Sequence, residues 1–562
     1  MKKLLPGLHL IFALFILVSC RQRATVPSES SIDSIYLKTG AIVSCGPADK
    51  LFGAVSFETS CSEKVKKDFD LAISILHSFE YDEAEKVFAK IIKDEPGCAM
   101  AYWGVAMCNY HPLWSPPTQP ELVKGAKAIA VAKSISKKTQ READYIEAIE
   151  LYYKDSEKLD HRTRAISFEK AMEKLHTTYP NDKESAIFYA LALDAAAAPT
   201  DKTFANQKKA YSILTSLYPG QPEHPGIVHY IIHSYDYPGL ASQALTAARK
   251  YASIAPSSAH AQHMPSHIFT RLGLWDECIQ SNLTAAESAK CYAENAGIKG
   301  HWDEEMHALD YLMYGYLQKG DNEQAKKLWD YLKTINDVAP FNFKVAYAFA
   351  AMPARYVLEN KLWKEAASLE VHNKKFDWEQ HHWQRAIVHF ARAMGAAHLG
   401  NIDSARAELK SLSIIHDELT RQKDAYKADH VLVQAKTAEA WILLKEVKNS
   451  DAIRLMTEAA DMEDKTEKHP VSPGEVLPAR ELLGDMLLQI NQPDKALDAY
   501  EANLKKHPNR FNGLYGAAVA AQKCNKPDMA RARYEQLLSI SQPTNSKRAE
   551  LEVARGFIET KK

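Results

Sequence analysis

Apolar residues recur at helical spacing along almost the whole chain, and clear alternation typical of strands is rare. The chain has 562 residues but only 22 glycines, so there is little of the punctuation that separates many small globular domains. The pattern therefore predicts an all-α protein built as one long helical array.

A repeated set of offsets supports this array. A helix pair of the tetratricopeptide type has a small residue where its two helices cross, a large residue one turn later, and often a proline after the second helix. The offsets of four and twelve residues recur in Ala84, Phe88 and Pro96, in Ala244, Ala248 and Pro256, and in Ala496, Tyr500 and Pro508. Ala244 to Cys278 and Ala496 to Ala530 each span 34 residues, the length of one such repeat.

Further crossing positions are expected at Phe168, Ala325, Ala366, Ala405 and Ala452, and the proline-rich stretch HPLWSPPTQP at 111–120 is expected to interrupt regular helix. The predicted fold is an α-solenoid of helix-turn-helix repeats, a superhelix whose concave groove is lined by the first helix of each pair. The expected organisation is as follows: 1–19 signal peptide, 20–62 lipidated Cys20 with a flexible tether, 63–200 N-terminal repeat-like helices with the insertion, 201–345 central repeats, and 346–562 C-terminal repeats.

The N-terminus has the pattern of an export signal. Lys2 and Lys3 precede an apolar run too short to remain as a spanning helix, and the run ends in Leu17, Val18, Ser19 and Cys20, which resembles a bacterial lipobox. Cleavage there would leave Cys20 for lipidation, and the residues after it favour the outer membrane of the bacterial cell envelope. A secretory signal with an accidental final cysteine is the alternative.

Charge and cysteine content narrow the function classes. Lys and Arg number 70 and Asp and Glu 71, so no net field favours nucleic acid, and the membrane is expected to be contacted through the lipid anchor only. There is no CxxC pair, which disfavours a thiolate zinc site. Cys45 and Cys61 bracket the segment before the first repeat and are the candidate pair for a disulfide in an oxidising compartment.

Histidines on successive first helices form the main candidate site. His229 and His233 are four residues apart on one first helix, His263 and His267 are four apart on the next, and the two pairs are one 34-residue repeat apart. Each repeat is numbered so that its crossing residue, Ala244 or Cys278 here, is position 20. Each histidine pair then occupies positions 5 and 9, which face the groove in tetratricopeptide proteins. His307 and His260 both fall at position 2 of their repeats.

The four paired imidazoles are expected to converge on one divalent transition metal, with His307 as a further ligand. Zinc is the first choice, and iron, copper, nickel and manganese are the alternatives. Asp236 and Asp310 are candidate general bases, while His260, Arg271 and Tyr314 are candidate ligand-binding residues. Two other interpretations remain open, namely a groove for an acidic peptide or anion, and histidines with only a structural role.

Several stretches resemble one family of proteins. LHSFEYDEA, CAMAYWGVAM with HPLW, HPGIVHYIIHSYDYP, HMPSHIFTRLGLW and HPVSPGEVLPARELLGD are similar to bacterial tetratricopeptide-repeat lipoproteins of unassigned activity, over residues 45 to 540. The resemblance implies one integral helical array and brings no substrate with it. Ala72 stands where a glycine is usual in the first repeat.

Two functions follow from these observations. The favoured one is a membrane-tethered scaffold whose groove binds a peptide, a protein or a small ligand, with the histidines forming a metal or ligand site. The alternative is a metal-dependent envelope enzyme, a hydrolase or an oxidoreductase, that uses the same histidines. The sequence contains no phosphate-binding glycine loop, GxSxG elbow or HExxH motif.

Overall fold

The computed structural model describes residues 26–47, 51–373, 376–544 and 546–560. The expected signal peptide at 1–19 and the lipidation site Cys20 lie outside these residues. Within the described ranges, no helix combines the length and the apolar character needed to cross a bilayer.

The N-terminal part consists of helices joined by short loops. They are α1 Glu29–Asp33, α2 Lys66–His77, α3 Tyr81–Asp94, α4 Ala99–Cys108, α5 Gln119–Ser134, α6 Gln140–Tyr153, α7 His161–Thr178, α8 Lys183–Ala196 and α9 Ala205–Leu217. Residues 111–118 of the proline-rich stretch form the loop before α5, as expected, because prolines cannot supply backbone donors to a helix. Gln119 and Pro120 instead begin α5, since a proline is tolerated in the first turn, where its missing N–H would have no partner in the helix.

The central part carries the candidate site. Its elements are a 3₁₀ turn Tyr218–Gly220, α10 Pro225–Tyr235, α11 Ala241–Ile254, α12 Ala259–His263, α13 Pro265–Leu272, α14 Trp275–Asn295, β1 His301–Trp302, α15 Asp303–Gln318, α16 Asn322–Thr334 and β2 Val338–Ala339. The two short strands pair in parallel, with His301 opposite Val338. Pro265 lacks an N–H, which accounts for the break between α12 and α13.

The C-terminal part continues the helix pairs. Its elements are α17 Phe343–Glu359, α18 Trp363–Ala367, a 3₁₀ turn Trp378–Gln380, α19 His382–His398, α20 Ile402–Arg421, α21 Ala425–Lys445, α22 Asn449–Lys465, α23 Ala479–Gln489, α24 Pro493–Lys506, α25 Phe511–Lys523, α26 Pro527–Ile540 and α27 Ala549–Thr560.

The crossing residues confirm the all-α solenoid. Ala244, Cys278 and Ala325 lie on the second helices α11, α14 and α16, and each is 0% exposed. Ala84, Ala366, Ala405, Ala452, Ala496 and Ala530 are likewise 0% exposed on their helices. A small residue at the crossing lets the two helix axes approach closely, so the neighbouring pairs build a continuous core.

The segment before the first repeat differs from the expected flexible tether. The backbone N–H of Lys38 donates to Glu85 and that of Val43 donates to Glu83, both on α3. Cys45 is bonded to Cys291 on α14. Residues 26–47 are therefore fastened to the outside of the array, because backbone donors and a covalent bond hold them there.

The cysteines pair differently from the possibility raised by the sequence. Cys45 bonds Cys291, and Cys61 bonds Cys98. Because Cys291 is 246 residues from its partner, nothing local in the sequence indicates that bond.

The superhelix curls until its C-terminal repeats contact its centre. The indole N–H of Trp275 donates to the carbonyl of Asn509 at 2.8 Å, and Lys468, in the segment between α22 and α23, contacts Asp236 at 3.0 Å. The expected concave groove is therefore filled by the chain itself next to the candidate histidines.

Glu475 lies in the same segment as Lys468, between α22 and α23. Its surroundings predict that the stability of the protein depends on pH. Its carboxylate bonds His507 Nε2 at 2.8 Å, and although burial alone would raise its pKa, His507 and Lys506 hold the pKa of Glu475 well below its usual value. A carboxyl group whose pKa is lower in the folded state stabilises the protein above its unfolded pKa, and that contribution is lost as the pH falls through the folded value.

We therefore expect Glu475→Gln to lower the free energy of unfolding at pH 7 by about 1.5–3 kcal/mol, with the difference from wild type shrinking below about pH 4.5. Denaturant unfolding of both proteins between pH 3 and 7 measures this. A difference that is independent of pH would show that the charge of Glu475 contributes nothing.

Candidate metal centre

Six histidines project from three successive inner helical segments into one compartment. α10 carries His229 and His233, the α12–α13 pair carries His260, His263 and His267, and α15 carries His307. Five of the six are buried, and His233 is half-buried.

The first three rings form a triad, here called triad A: His229, His233 and His260. His229 Nε2 lies 3.0 Å from His233 Nε2 and 3.1 Å from His260 Nε2. One nitrogen from each ring lies within 4.8 Å of the other two, so all three can bind one ion.

The other three rings form triad B: His263, His267 and His307. His263 Nε2 lies 3.1 Å from His267 Nε2, and the centroids of the His263 and His307 rings are 4.1 Å apart. One nitrogen from each of these rings also lies within 4.8 Å of the other two.

The two triads follow one rule. Each takes positions 5 and 9 of one repeat and position 2 of the next repeat: His229 and His233 with His260, then His263 and His267 with His307. At the two ends of this series the equivalent positions hold Gly226, Asp310 and Tyr314. The repeat period therefore generates two trihistidine groups, and the histidine pattern does not continue into the repeats on either side.

The triads are neighbours. The ring centroids of His233 in triad A and His267 in triad B are 6.4 Å apart, nearly the same as the 6.3 Å between His233 and His260 inside triad A. Two ions in these triads would therefore occupy one compartment.

Outer partners orient three of the rings. His229 Nδ1–H donates to the carbonyl of His77 at 2.6 Å, and His263 Nδ1–H donates to Asn282 Oδ1 at 2.6 Å. His267 Nδ1–H donates to Asp236 Oδ2 at 3.0 Å. Metal-binding histidines characteristically donate from the other ring nitrogen to a carbonyl or carboxylate, which fixes the tautomer.

These outer partners determine which nitrogen of His263 and of His267 carries the ring proton. A carboxylate can only accept, and the Asn282 amide nitrogen already donates to the carbonyl of Cys278, so both Nδ1 atoms carry the proton. Each neutral ring then presents an Nε2 lone pair to the other across 3.1 Å. Two lone pairs at this distance repel, whereas an ion bound to both at about 2.0–2.1 Å removes the conflict.

Burial keeps the rings neutral. It lowers the pKa of His229 to about 3, although the bond to the His77 carbonyl acts in the opposite direction. Burial also lowers the pKa of the five other rings. A neutral imidazole has the free lone pair that a metal requires.

Asp236 lies behind a ligand ring rather than in front of the triads. Its carboxylate bonds the Nδ1 side of His267 and also accepts from Arg271 Nε at 2.8 Å and Lys468 Nζ at 3.0 Å. Burial alone would raise its pKa, but Lys468 and Arg271 hold the pKa of Asp236 well below its usual value. This position and low basicity suit an orienting residue, not the expected general base.

Other expected residues lie outside the two triads. Asp310 pairs with Arg355, and Tyr314 accepts from Arg510 Nη1 at 3.1 Å. Arg271 pairs with a carboxylate of the protein itself, that of Asp236. The expected convergence of four rings on one ion is also replaced by two triads, because each first-helix pair lies closest to the position 2 histidine of the next repeat.

The sequence predicts a ligand-binding role for His260 rather than a metal-binding one. The structure brings its Nε2 into triad A, 3.1 Å from His229 Nε2. The signal was available, because His260 occupies the same repeat position as His307, which was expected to bind metal.

Aromatic side chains surround the compartment. Phe79 lies 4.4 Å from His229 between ring centroids, Tyr311 lies 4.6 Å from His263, and Trp114 of the proline-rich insertion lies 5.1 Å from His233. Phe79, Trp114 and His233 are half-buried, so the compartment approaches solvent at the edge that they form. The insertion thus contributes to the site, a role that its composition did not indicate.

A third buried group lies nearby. Glu184 bridges His77 Nε2 at 3.0 Å and His224 Nε2 at 2.8 Å, and although burial opposes it, His224 and His77 lower the pKa of Glu184 to about 2. His77 Nδ1 meets the hydroxyl of Tyr230 at 2.9 Å. Here both Nε2 atoms have a carboxylate partner, so no two ring nitrogens oppose each other as they do in the triads.

Comparisons with known proteins concern only the chain path. No protein-family profile matches the sequence, and no curated protein is significantly similar to it. Similar solved structures include the human IFIT1 dimer with PPP-AAAA, at 12% identity and TM-score 0.36 over 83% of this chain and 95% of that one. Yeast Tom70 matches at 12% identity and TM-score 0.31 over 89% and 96%, and the P58(IPK) TPR domain at 14% and 0.18 over 89% and 99%. At these scores the likenesses carry no argument about function.

Proposed function

We propose that this protein is a metalloprotein that holds two transition-metal ions side by side, one in triad A and one in triad B. The observation that carries the proposal is the contact between His263 Nε2 and His267 Nε2 at 3.1 Å, with both Nδ1 protons directed to outer acceptors. Burying two opposed lone pairs without a proton or a cation between them is unfavourable.

The donor set indicates the class of metal. Neutral imidazole nitrogens suit zinc, copper, iron and nickel, whereas magnesium and calcium require oxygen ligands. Three protein ligands leave an open position on each ion, which is the arrangement of catalytic rather than structural sites. This favours a metal-dependent enzyme over a metal that only shapes the fold.

The cellular location belongs to the same proposal. We place the protein in the bacterial envelope, tethered by lipid on Cys20 and most simply at the outer membrane. The bonds Cys45–Cys291 and Cys61–Cys98 support export, because disulfides persist in oxidising compartments. Replacing Cys20 by Ser should release the protein from the membrane fraction, and retention of this variant would contradict the lipid anchor.

Elemental analysis of the purified protein tests the metal proposal. We expect two equivalents of transition metal per chain in the wild type, one in His229→Ala, and none in the double variant His229→Ala with His263→Ala. Circular dichroism should show that the helical fold persists, since most of the array lies away from the triads.

The matched control is His416→Ala, because His416 is partly exposed and its ring pairs with the exposed carboxylate of Asp417. It should keep two equivalents. A wild-type protein that purifies without metal and gains no stability from any added transition metal would overturn the proposal. A third equivalent that disappears in Glu184→Gln would instead identify the His77, Glu184 and His224 group as a site.

A second candidate function rests on a cavity in the C-terminal repeats. A cavity of about 340 Å³ is lined by Trp363, Trp441, Tyr515 and His398, with Lys361 and Asp485 at its charged side. This volume and mixture of aromatic and charged groups suit a peptide side chain or a small ligand. Binding that persists in the metal-free double variant and is lost in Trp363→Ala would establish a scaffold function separate from the triads.

A further inference from the structure

We infer that the two ions are copper and that the pair binds dioxygen between them as peroxide. This inference rests on the proposed metalloprotein function and specifies its metal and its small ligand. It draws on the charge of the ligand set, the proximity of the triads and the surroundings of the compartment.

The first step concerns charge. All six candidate ligands are imidazoles, which bind a metal through the neutral ring, and within the described residues neither triad contains a carboxylate. The neighbouring carboxylate of Asp236 is already bonded by two cations, Arg271 and Lys468. Two divalent ions would therefore place four uncompensated charges in a buried site, which is costly.

Copper halves that charge. Among the metals that favour imidazole, copper has a stable monovalent state, and two Cu(I) ions carry only two positive charges. Three nitrogen ligands per ion, as each triad supplies, are enough for Cu(I). The neutral, buried ligand set thus selects the reduced copper pair over two zinc ions.

The second step concerns geometry. The Nδ1 atoms of His229, His263 and His267 are bonded to outer partners, so their Nε2 atoms face the compartment. With His233 and His267 only 6.4 Å apart between ring centroids, the ions can approach the separation of about 3.5–4 Å found in two-metal sites. A diatomic ligand can bridge ions at that separation.

The third step is the reaction. Each Cu(I) gives one electron to O₂, so two Cu(I) become two Cu(II), the O–O π bond is lost and peroxide with two negative charges remains between the ions. No proton is needed. The two metals and the oxygen ligand together carry a charge of +2 before the reaction and +2 after it. The net charge in the buried site therefore does not change.

The surroundings suit such a ligand. Phe79 and Tyr311 pack against His229 and His263 and limit the water that would protonate peroxide. At the half-buried edge, Trp114 and His233 lie where a small apolar gas can enter.

The test loads the metal-free full chain with Cu(I) under nitrogen and then admits oxygen. We expect two coppers per chain, uptake of one O₂ per two coppers, a new charge-transfer absorption, and no paramagnetic resonance signal because the two Cu(II) ions are coupled. Reversal of the absorption when oxygen is removed would show binding rather than loss of peroxide.

His307→Gln tests the need for both triads, since it removes one ligand of triad B and leaves triad A intact. We expect its oxygen uptake to fall to background and a paramagnetic Cu(II) signal from triad A to appear after oxidation. The matched control His430→Gln replaces a partly exposed histidine in another part of the fold and should behave as wild type.

The outcomes separate the two proposals. A chain that binds no metal at all fails as a metalloprotein. A chain that holds two zinc ions and rejects copper, or holds two coppers that consume no oxygen, or gives full Cu(II) signals from independent ions, remains a metalloprotein but overturns the copper and dioxygen inference.

Discussion

Replacing Arg510 by Met should lower the free energy of unfolding of the C-terminal repeats by about 3–5 kcal/mol, the cost of leaving buried partners without their counter-ion. Arg510 is 0% exposed and bonds Glu481 with two nitrogens, Nε and Nη2, each at 2.9 Å, and Glu359 Oε1 at 2.6 Å. Its Nη1 also donates to Tyr314 on α15 at 3.1 Å. One guanidinium therefore joins three repeats at the point where the superhelix closes.

The matched control is Arg533→Met. Arg533 also makes a two-nitrogen pair, with Glu501, but both side chains are about a quarter exposed, at 29% and 24%. Solvent screens such a pair, so its loss should cost about 0–1 kcal/mol. Urea unfolding followed by fluorescence measures both variants. Equal losses would show that burial of Arg510 adds nothing to its contribution.

Replacing Cys45 and Cys291 together by serine should also lower the free energy of unfolding by a large amount, because it removes the disulfide bond between them. The bond closes a segment of 246 residues, for which loop-closure entropy gives a contribution of about 5 kcal/mol. It also fastens the N-terminal segment to α14, which carries the outer partner Asn282 of His263. We therefore expect the serine variant to unfold at a lower urea concentration than the wild type with the disulfide formed.

Loss of the Cys61–Cys98 bond is the comparison. That bond closes 37 residues, so the same relation predicts an effect smaller by about 1–2 kcal/mol. Mass analysis of the unreduced wild type establishes both bonds before unfolding is measured. A larger loss from the shorter loop would contradict an entropic origin for the difference.

Much of the site was readable from repeat positions. Positions 5 and 9 put His229, His233, His263 and His267 on the same side of successive first helices, because the face of a helix is set by local periodicity. The structure brings these rings into one compartment. Position 2 places His260 and His307 at the same face. The sequence does not predict how the rings divide into two groups, because that division depends on how far one helix is displaced against the next.

The roles of the carboxylates were also beyond the sequence. Asp236 and Asp310 both follow histidines on inner helices, yet one bonds the rear of His267 and the other pairs with Arg355. Arg355 is 45 residues from Asp310, and Lys468 is 232 residues from Asp236. The partner that decides each carboxylate's chemistry therefore comes from another repeat, the next one along the chain for Asp310 and a distant one for Asp236.

By itself the sequence determined the helix pairs, their crossing residues and the inward face of the histidines, because each of these depends on spacing within one repeat. Only the tertiary structure decided that the histidines divide into two neighbouring triads, that Cys45 meets Cys291, and that residues 467–477 cover the inner wall. These depend on the pitch of the superhelix, a sum of small rotations between many repeats, which brings together residues that no local pattern relates.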